Sequence, residues 1–517
     1  MVSDDTPDRL GPLAEPAAEA LADLAARDAV ARAWARDHTL WRDDPTEIAD
    51  RLGWLSLATE LAPTAEALVA RCQALAGDVD DVLLAGMGGS SLFPEVVARS
   101  GATDPSAPLL HVLDTTDPVA VDRLGATLVP ERTLHVAASK SGTTLETRSH
   151  LAWAWGRHPH PERFAVITDP GSELAALARE LRFAATFENR PDVGGRYSAL
   201  SYFGLVPTAL AGADVAGLLA TAEGMAADLH AAAPVNPAAR LAATMAAGVR
   251  RGRDKLTIVT PPGQATFGLW LEQLVAESTG KDGTGIVPVV GEPVAGPDAY
   301  GDDRLFVALG DDTAPAELTV LAAAGHPVLV LPFGGRFVDL GGQVILWELA
   351  TALAGALLGI QPFDQPDVAA AKQATARVLE EGPPDVSPTP LDDLLATVGD
   401  GDYLAIQAFV DPAGPEVPAL ERARVALRDR LRVATTLGLG PRFLHSTGQL
   451  HKGGPGMGVF VQVVADHGGD VDVPVPGRPY GFAALERAQA DGDLLALRER
   501  KRRAGRVRLA ELTEVAT

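Results

Sequence analysis

The chain has 517 residues, 47% of them hydrophobic and 22% charged, with a single cysteine, Cys72. At about 150 residues per domain this is two or three globular domains, and the composition excludes both a disordered chain and a disulfide scaffold. A formal charge of −24 repels nucleic acid and anionic membrane, and also anionic metabolites unless a local pocket of N–H groups, hydroxyls and a few cations receives them. Only six lysines occur, at 140, 255, 281, 372, 452 and 501, so a lysine inside a motif carries weight. The N-terminus is acidic with no apolar core, and no stretch of about 20 residues is apolar without interruption. The expectation is a soluble, cytoplasmic protein with no nucleic-acid and no membrane partner.

In chain order, residues 1–80 are Ala-, Leu- and Glu-rich at helical spacing, with helices expected around 15–37, 45–52 and 64–77. Short apolar strands then alternate with helices. Strands are expected at Asp81–Met87, Leu109–Asp114, Arg132–Ala138 and Arg163–Thr168, and helices at Glu146–Trp155 and Ser172–Leu181. This first unit is read as 81–235. A second unit, 236–380, repeats the pattern, with strands at Lys255–Thr260, Gly285–Val290, Leu305–Leu309 and Pro327–Leu331. Its helices fall near 264–278, 315–325, 341–358 and 366–380. Such alternation predicts an α/β fold of two doubly wound parallel-sheet domains. A Pro-rich linker over 380–390 leads to a C-terminal segment, 391–517, read as α+β. It holds a strand at Tyr403–Val410, a basic helix at Glu421–Thr436, a Gly-rich loop at 445–458, a strand at Val459–Ala465 and a helix from about 482. The charge run Arg498–Arg503 is expected as a solvated face or turn.

Six motifs fall where such a fold places ligands. Gly86-Met-Gly88-Gly89-Ser90-Ser91 follows a strand and precedes a helix, so backbone can approach a ligand and N–H groups can meet an anion. It partly fits a dinucleotide fingerprint, with Asp114 at the end of the next strand, but Ser91 stands at the third glycine position. Ser139-Lys140-Ser141-Gly142-Thr143-Thr144-Leu-Glu-Thr147 packs four hydroxyls, a lysine and a glycine into six residues before a helix. A helix cap needs one hydroxyl, not four, so this loop points to a monophosphate. Asp192-Val-Gly194-Gly195-Arg196-Tyr-Ser198 offers an arginine fork for developing negative charge, or a structural salt bridge. Gln273-Leu-Val-Ala-Glu277-Ser-Thr-Gly280-Lys281 ends an apolar helix with a carboxylate, either a base or a surface Glu. Phe363-Asp-Gln365-Pro-Asp367 leads to Lys372, with Asp364 or Asp367 as plain caps. His445-Ser-Thr-Gly448-Gln449-Leu-His451-Lys452 reads as a site loop, with a metal pair as the weaker alternative, since no Cys joins the two histidines and their spacing is not helical.

Taken together, these motifs resemble the glucose-6-phosphate isomerase family. The Gly-x-Gly-Gly-Ser turn at 86–90, the Ser-Lys-x-x-Thr-Thr-x-Glu-Thr loop at 139–147, Gly-Gly-Arg-Tyr-Ser at 194–198, Glu-Ser-x-Gly-Lys at 277–281 and Phe-Asp-Gln-x-x-Val-x-x-x-Lys at 363–372 stand in the family's order. The likeness to the isomerase part of bacterial transaldolase–isomerase fusions extends through 444–455. With no room for the transaldolase half, a stand-alone isomerase of that branch is expected. The resemblance implies two sugar-isomerase (SIS) domains and reversible conversion of glucose 6-phosphate to fructose 6-phosphate, with no cofactor and no metal. Carried over, Ser139, Ser141 and Thr144, with Lys140 and Thr143 nearby, would hold the phosphate. Gly89 and Ser90 would line the sugar and Gln273 would orient it. Glu277 would move the proton between C2 and C1 through a cis-enediolate, Arg196 would stabilise the enediolate oxygens, and Lys372 would help ring opening. The family's ring-opening histidine has no match between 281 and 363, where His326 reads as structural. His451 is the expected replacement, with His445 behind it. Because the family borrows a neighbour's histidine, a homodimer is expected. Activity on mannose 6-phosphate or an amino sugar phosphate, a non-catalytic sugar-phosphate sensor, and a nicotinamide-dependent dehydrogenase are the rival readings.

Overall fold

The computed structural model describes residues 9–310, 316–466 and 472–516. The apolar runs beyond residue 80 form three parallel sheets. The first contains β1 (Asp81–Gly86), β2 (Leu109–Leu113), β3 (Thr133–Ala138), β4 (Phe164–Thr168) and β5 (Ala185–Glu188), in the order 2-1-3-4-5. The second contains β6 (Lys255–Val259), β7 (Val287–Val290), β8 (Arg304–Leu309) and β9 (Val328–Leu331), in the order 7-6-8-9. Strands such as Phe164–Thr168 and Arg304–Leu309 are buried along their whole length, which is why they read as continuous rather than alternating apolar runs.

The C-terminal segment, expected as α+β, adds a third parallel sheet. It contains β10 (Tyr403–Phe409), β11 (Ala434–Leu439), β12 (Gly458–Val464) and β13 (Arg503–Arg506), in the order 11-10-12-13. Two of its strands escape sequence reading for identifiable reasons. The basic helix, expected to run to Thr436, is Glu416–Leu431 and stops at Arg432, whose φ of 58° is left-handed; β11 follows at once. The β13 sequence, Arg-Ala-Gly-Arg, has no apolar pattern and is a strand only because β12 pairs with it. Edge strand β5 is similarly short. Two further expectations shift at turns: the helix near 15–37 breaks at Asp28 into Ala14–Ala26 and Ala29–Trp34, and 45–52 is a series of turns.

The N-terminal helices and the first two sheets share one hydrophobic core. At its centre lies the helix Leu340–Leu358, buried on every side except at its last residue. The stretch Phe337–Leu358 is long and apolar enough to cross a membrane, and its most apolar 18-residue window is wholly buried inside the protein, as a helix at the centre of a core is. The third sheet has a core of its own, around Leu404, Ile406, Leu420, Leu427 and Val461. In the run Arg498–Arg503, residues 498–501 are exposed and 500–501 form a turn, as expected, but several of its arginines also make contacts. Arg500 pairs with Asp367 at 2.6 Å, Arg502 donates to the Lys452 and Gly454 carbonyls, and Arg503 forks onto Asp402. The run therefore fastens the third unit to itself and to the helix Val368–Glu381.

Candidate active site

In a sheet of order 2-1-3-4-5 the chain leaves β1 towards one side and enters β3 on the other, and a crevice opens beyond their carboxyl ends. The Gly turn follows β1 and the Ser-Lys loop follows β3, so both lie at that crevice. A cleft of about 490 Å³ sits there, lined among others by Gly89, Ser90, Ser139, Lys140, Ser141 and Thr144. Gln273, Glu277, Arg196, Lys372 and His445 complete its wall. Gly89 is required by close approach: a Cβ there would lie 1.9 Å from the Gly195 carbonyl oxygen, so the turn can touch the Arg196 loop only as glycine.

The Ser-Lys loop is organised by its own hydroxyls. Ser139 and Thr144 pair at 3.0 Å and Ser141 and Thr143 at 2.8 Å, while the Gly142 N–H donates to Ser139 Oγ. Gly142 has φ +73°, and any Cβ would strike the Leu174 backbone. The loop ends in the 13-residue helix Leu145–Arg157, whose N-terminus no side chain caps. Free N–H groups, the helix dipole and four hydroxyls make an anion cradle. Thr143 is displaced from the main cleft and lines a side cavity of about 210 Å³. Lys140 turns towards the rim, where it pairs with Asp169 and donates to the Pro191 carbonyl.

Across the cleft, Glu277 ends the buried helix Ala265–Thr279. Arg196 Nη2 lies 3.2 Å from its Oε1 and Gln273 Nε2 donates to its Oε2 at 3.1 Å. Arg196 is held by the carbonyls of Pro362 and Asp364. Those carbonyls stay in place because Lys281, buried in the same motif as Glu277, donates to Gln361 and Asp364. Asp364 therefore serves Lys281, and Asp367 bonds Gln449 and Arg500; neither side chain caps the helix carrying Lys372.

The structure separates the two candidate histidines. His451 lies outside the cleft, fully enclosed by Tyr403, Phe443 and Phe460, with Nδ1 3.2 Å from the Gln407 amide. Burial drives its ring well below the ordinary histidine range, so it stays neutral. His451 lies on the short helix Gly448–Gly453, five of whose six residues are buried, and its ring packs against strands β10 and β12 of the third sheet. His445 instead lines the cleft, and its Nε2 lies 2.9 Å from Glu146. Burial alone would raise the Glu146 carboxyl, but the His445 charge and hydrogen bond, and more weakly Lys372, bring it down to about 2. The His445 loop is tied at two further points. Arg442 forks onto Asp114 at 2.7 and 2.8 Å, and Gln273 donates to the His445 carbonyl at 2.8 Å. Asp114, the residue a dinucleotide ribose would need, is thereby engaged by Arg442.

Sequence reasoning missed Glu146, Arg442 and Gln489, whose amide also donates to Glu146. Glu146 had a signal, as the acid in the first turn of a helix that follows a phosphate-type loop. Arg442 and Gln489 had none, since their partners lie more than 300 residues away. Among the described residues, no group of three or more His, Cys, Asp or Glu side chains is placed to hold a metal ion.

A family profile described as phosphoglucose isomerase matches residues 70–286. A glucose-6-phosphate isomerase of Rubrobacter xylanophilus is 31% identical over 351 residues, covering 57% of this chain and 81% of the relative. One from a Synechococcus strain is 31% identical, covering 63% and 74%. Among solved structures, a hypothetical protein of Thermus thermophilus superposes with a TM-score of 0.61 at 27% identity, covering 71% of this chain and 98% of that one. A glucose-6-phosphate isomerase from Chlamydia trachomatis shares the fold with a TM-score of 0.53 at 20% identity, covering 68% and 78%.

Proposed function

The chain belongs to the glucose-6-phosphate isomerase family, and on that premise we propose which of its residues carry the reaction. That reaction is the reversible aldose–ketose isomerisation of glucose 6-phosphate and fructose 6-phosphate in glycolysis and gluconeogenesis. The observation that supports the assignment is a single one. A carboxylate, an arginine fork and a carboxylate-bound histidine line one cleft with an uncapped, hydroxyl-rich helix N-terminus.

The phosphate sits on the cradle of Ser139, Ser141 and Thr144, with Thr143 and the helix N–H groups behind them. These hydroxyls bond one another within the loop, and each can rotate to donate to a phosphate oxygen. Lys140, tied to Asp169 at the rim, supplies longer-range positive charge. The sugar then extends over Gly89 and Ser90. Ring opening takes a proton from one sugar oxygen and gives one to another. His445 is the group for that step. A carboxylate only accepts, so Nε2–H points to Glu146 and Nδ1 is left to exchange a proton with substrate. Lys372, on the same wall, stabilises the oxygen that gains charge.

In the open chain, Glu277 removes the proton from the carbon beside the carbonyl and returns it to the neighbouring carbon, one base serving both. Arg196, rigidly held by two carbonyls and already beside Glu277, meets the charge that develops on the cis-enediolate oxygens. Gln273 fixes the carboxylate.

The test is turnover of fructose 6-phosphate, coupled through a dehydrogenase, with and without chelator. Glu277→Gln is expected to lose at least ~10²-fold in kcat, the ordinary share of a general base. Near-normal turnover in that variant overturns the assignment. The same proposal takes the enzyme to work without metal or cofactor, in the cytoplasm, apart from nucleic acid and membrane. It takes the units as bounded at 81–235, 236–380 and 391–517, and the assembly as a homodimer. The −24 charge supports the absence of polyanionic partners.

A further inference from the structure

His445 sits on a loop, and a proton-transfer group must not swing. Its ring is tied to Glu146, but a glutamate side chain has three rotatable bonds and is a poor anchor by itself. The anchor is completed from the C-terminal helix Phe482–Glu499. Gln489 Nε2 donates to Glu146 Oε1 at 2.6 Å, the same oxygen that His445 contacts. The Gln489 carbonyl in turn accepts from the Thr116 hydroxyl at 2.6 Å. Thr116 and Gln489 are both buried, at 0% and 2% exposure. An amide has one donating and one accepting end, so the Thr116 bond determines which end faces Glu146. A buried amide with no partner would be costly and an apolar residue would suit the helix interior; this amide is bonded at both ends. Gln489 also walls the side cavity that Lys372 and His445 share with the main cleft, which brings the chain of bonds to the edge of the reaction zone.

We propose that Gln489 is a positioning residue for ring opening: the chain Thr116–Gln489–Glu146 holds the His445 ring in place, and the C-terminal unit thereby takes part in catalysis. The proposal rests on the reading of His445 as the ring-opening group. Its test separates the two.

In a Glu277→Gln background isomerisation is blocked, but the enzyme can still open and close the sugar ring. Ring opening is then read directly as enzyme-catalysed exchange between the anomers of fructose 6-phosphate, by exchange NMR. Adding His445→Ala abolishes that exchange if His445 opens the ring; retained exchange overturns the His445 reading itself. Adding Gln489→Leu, of similar size but without a donor, is expected to slow exchange about tenfold. That is a fraction of the ~10²-fold or more that a general acid–base group supplies. Affinity for the ring-locked 1,5-anhydroglucitol 6-phosphate should stay at the parent value, while the melting temperature falls by a few degrees at most, the cost of one buried hydrogen bond. Exchange within twofold of the parent overturns the proposal. So does a loss that moves in step with affinity for that ligand, because that is a purely structural role. If Gln489→Leu does not fold, Thr116→Val decides by the same criteria, with an expected slowing of about threefold.

Discussion

Replacing each histidine of the 445–451 loop by alanine should give opposite phenotypes. His451→Ala removes a fully buried ring from between Tyr403, Phe443 and Phe460 and leaves the Gln407 amide without its ring partner. A cavity of that kind costs roughly 2–4 kcal/mol, and an unpaired buried amide adds ~1–3 kcal/mol. The loss falls on stability, and turnover per folded molecule should change less than about threefold, since no atom of the ring lines the cleft. His445→Ala breaks one charge-assisted bond, worth ~1.5–3 kcal/mol, and Gln489 remains to hold Glu146. Its main loss is in kcat, at least ~10²-fold, which is ~2.7 kcal/mol of barrier. The assay is kcat for fructose 6-phosphate, paired with denaturant unfolding of the same preparations. A folded His451→Ala protein that has lost 100-fold, beside a His445→Ala protein within threefold of the parent, would refute the reasoning.

Three further outcomes are expected. Mixing Glu277→Gln with His445→Ala should restore no activity, because both groups line one cleft of one chain; recovery towards a quarter of the parent rate would show that sites are shared between chains. Ser139→Ala and Thr144→Val should each raise KM about ten- to a hundredfold with little change in kcat, as one hydrogen bond to a charged group, worth ~1.5–3 kcal/mol, is lost. A fall in kcat with KM unchanged would remove these hydroxyls from phosphate binding. Burial drives the Glu272 carboxyl up to about 7, with Arg424 and Arg442 only partly opposing. A carboxyl raised in the folded state stabilises fully below its unfolded value of about 4.3, and that contribution fades as pH rises through about 7. Glu272→Gln should therefore raise the melting temperature at pH 8 by about 2 °C or more and flatten its fall from pH 5. An unchanged slope would show that the carboxyl titrates normally.

The parts of the site that are local in sequence were legible. The Gly turn and the Ser-Lys loop each follow a strand and open a helix, and their residue types describe the anion cradle without help from the rest of the chain. Arg196 and Glu277 were ambiguous by composition, since a single Arg or a helix-end Glu is usually structural; their shared cleft, with 3.2 Å between them, is what supports the functional reading. Motif spacing favours His451, whereas in the fold His451 packs against Tyr403 and Phe460 of the third sheet and His445 lines the cleft, a placement that spacing does not encode. The C-terminal sheet was only half visible, because β11 abuts a basic helix and β13 carries two arginines in four residues.

The arrangement of the sheets explains why the cleft draws on all three units. The first sheet offers its carboxyl edge, where the Gly turn, the Ser-Lys loop, Asp169 and Arg196 all follow strand ends. The second offers its opposite edge. Helix Ala265–Thr279 follows β6 and returns antiparallel to it, so Glu277 and Lys281 arrive at the start of β7, and helix Leu340–Leu358 delivers the 361–364 turn in the same way. The third offers a carboxyl edge again, through the loop after β11 that carries Arg442 and His445. A base at a helix C-terminus receives no anion-attracting dipole from its own helix, so Glu277 relies on Arg196 as its near cation. A phosphate at a helix N-terminus needs no such partner. On the proposed assignment the −24 charge of the chain is compatible with a dianionic substrate, because fixed local dipoles would meet the phosphate and a held arginine the developing enediolate, rather than net charge.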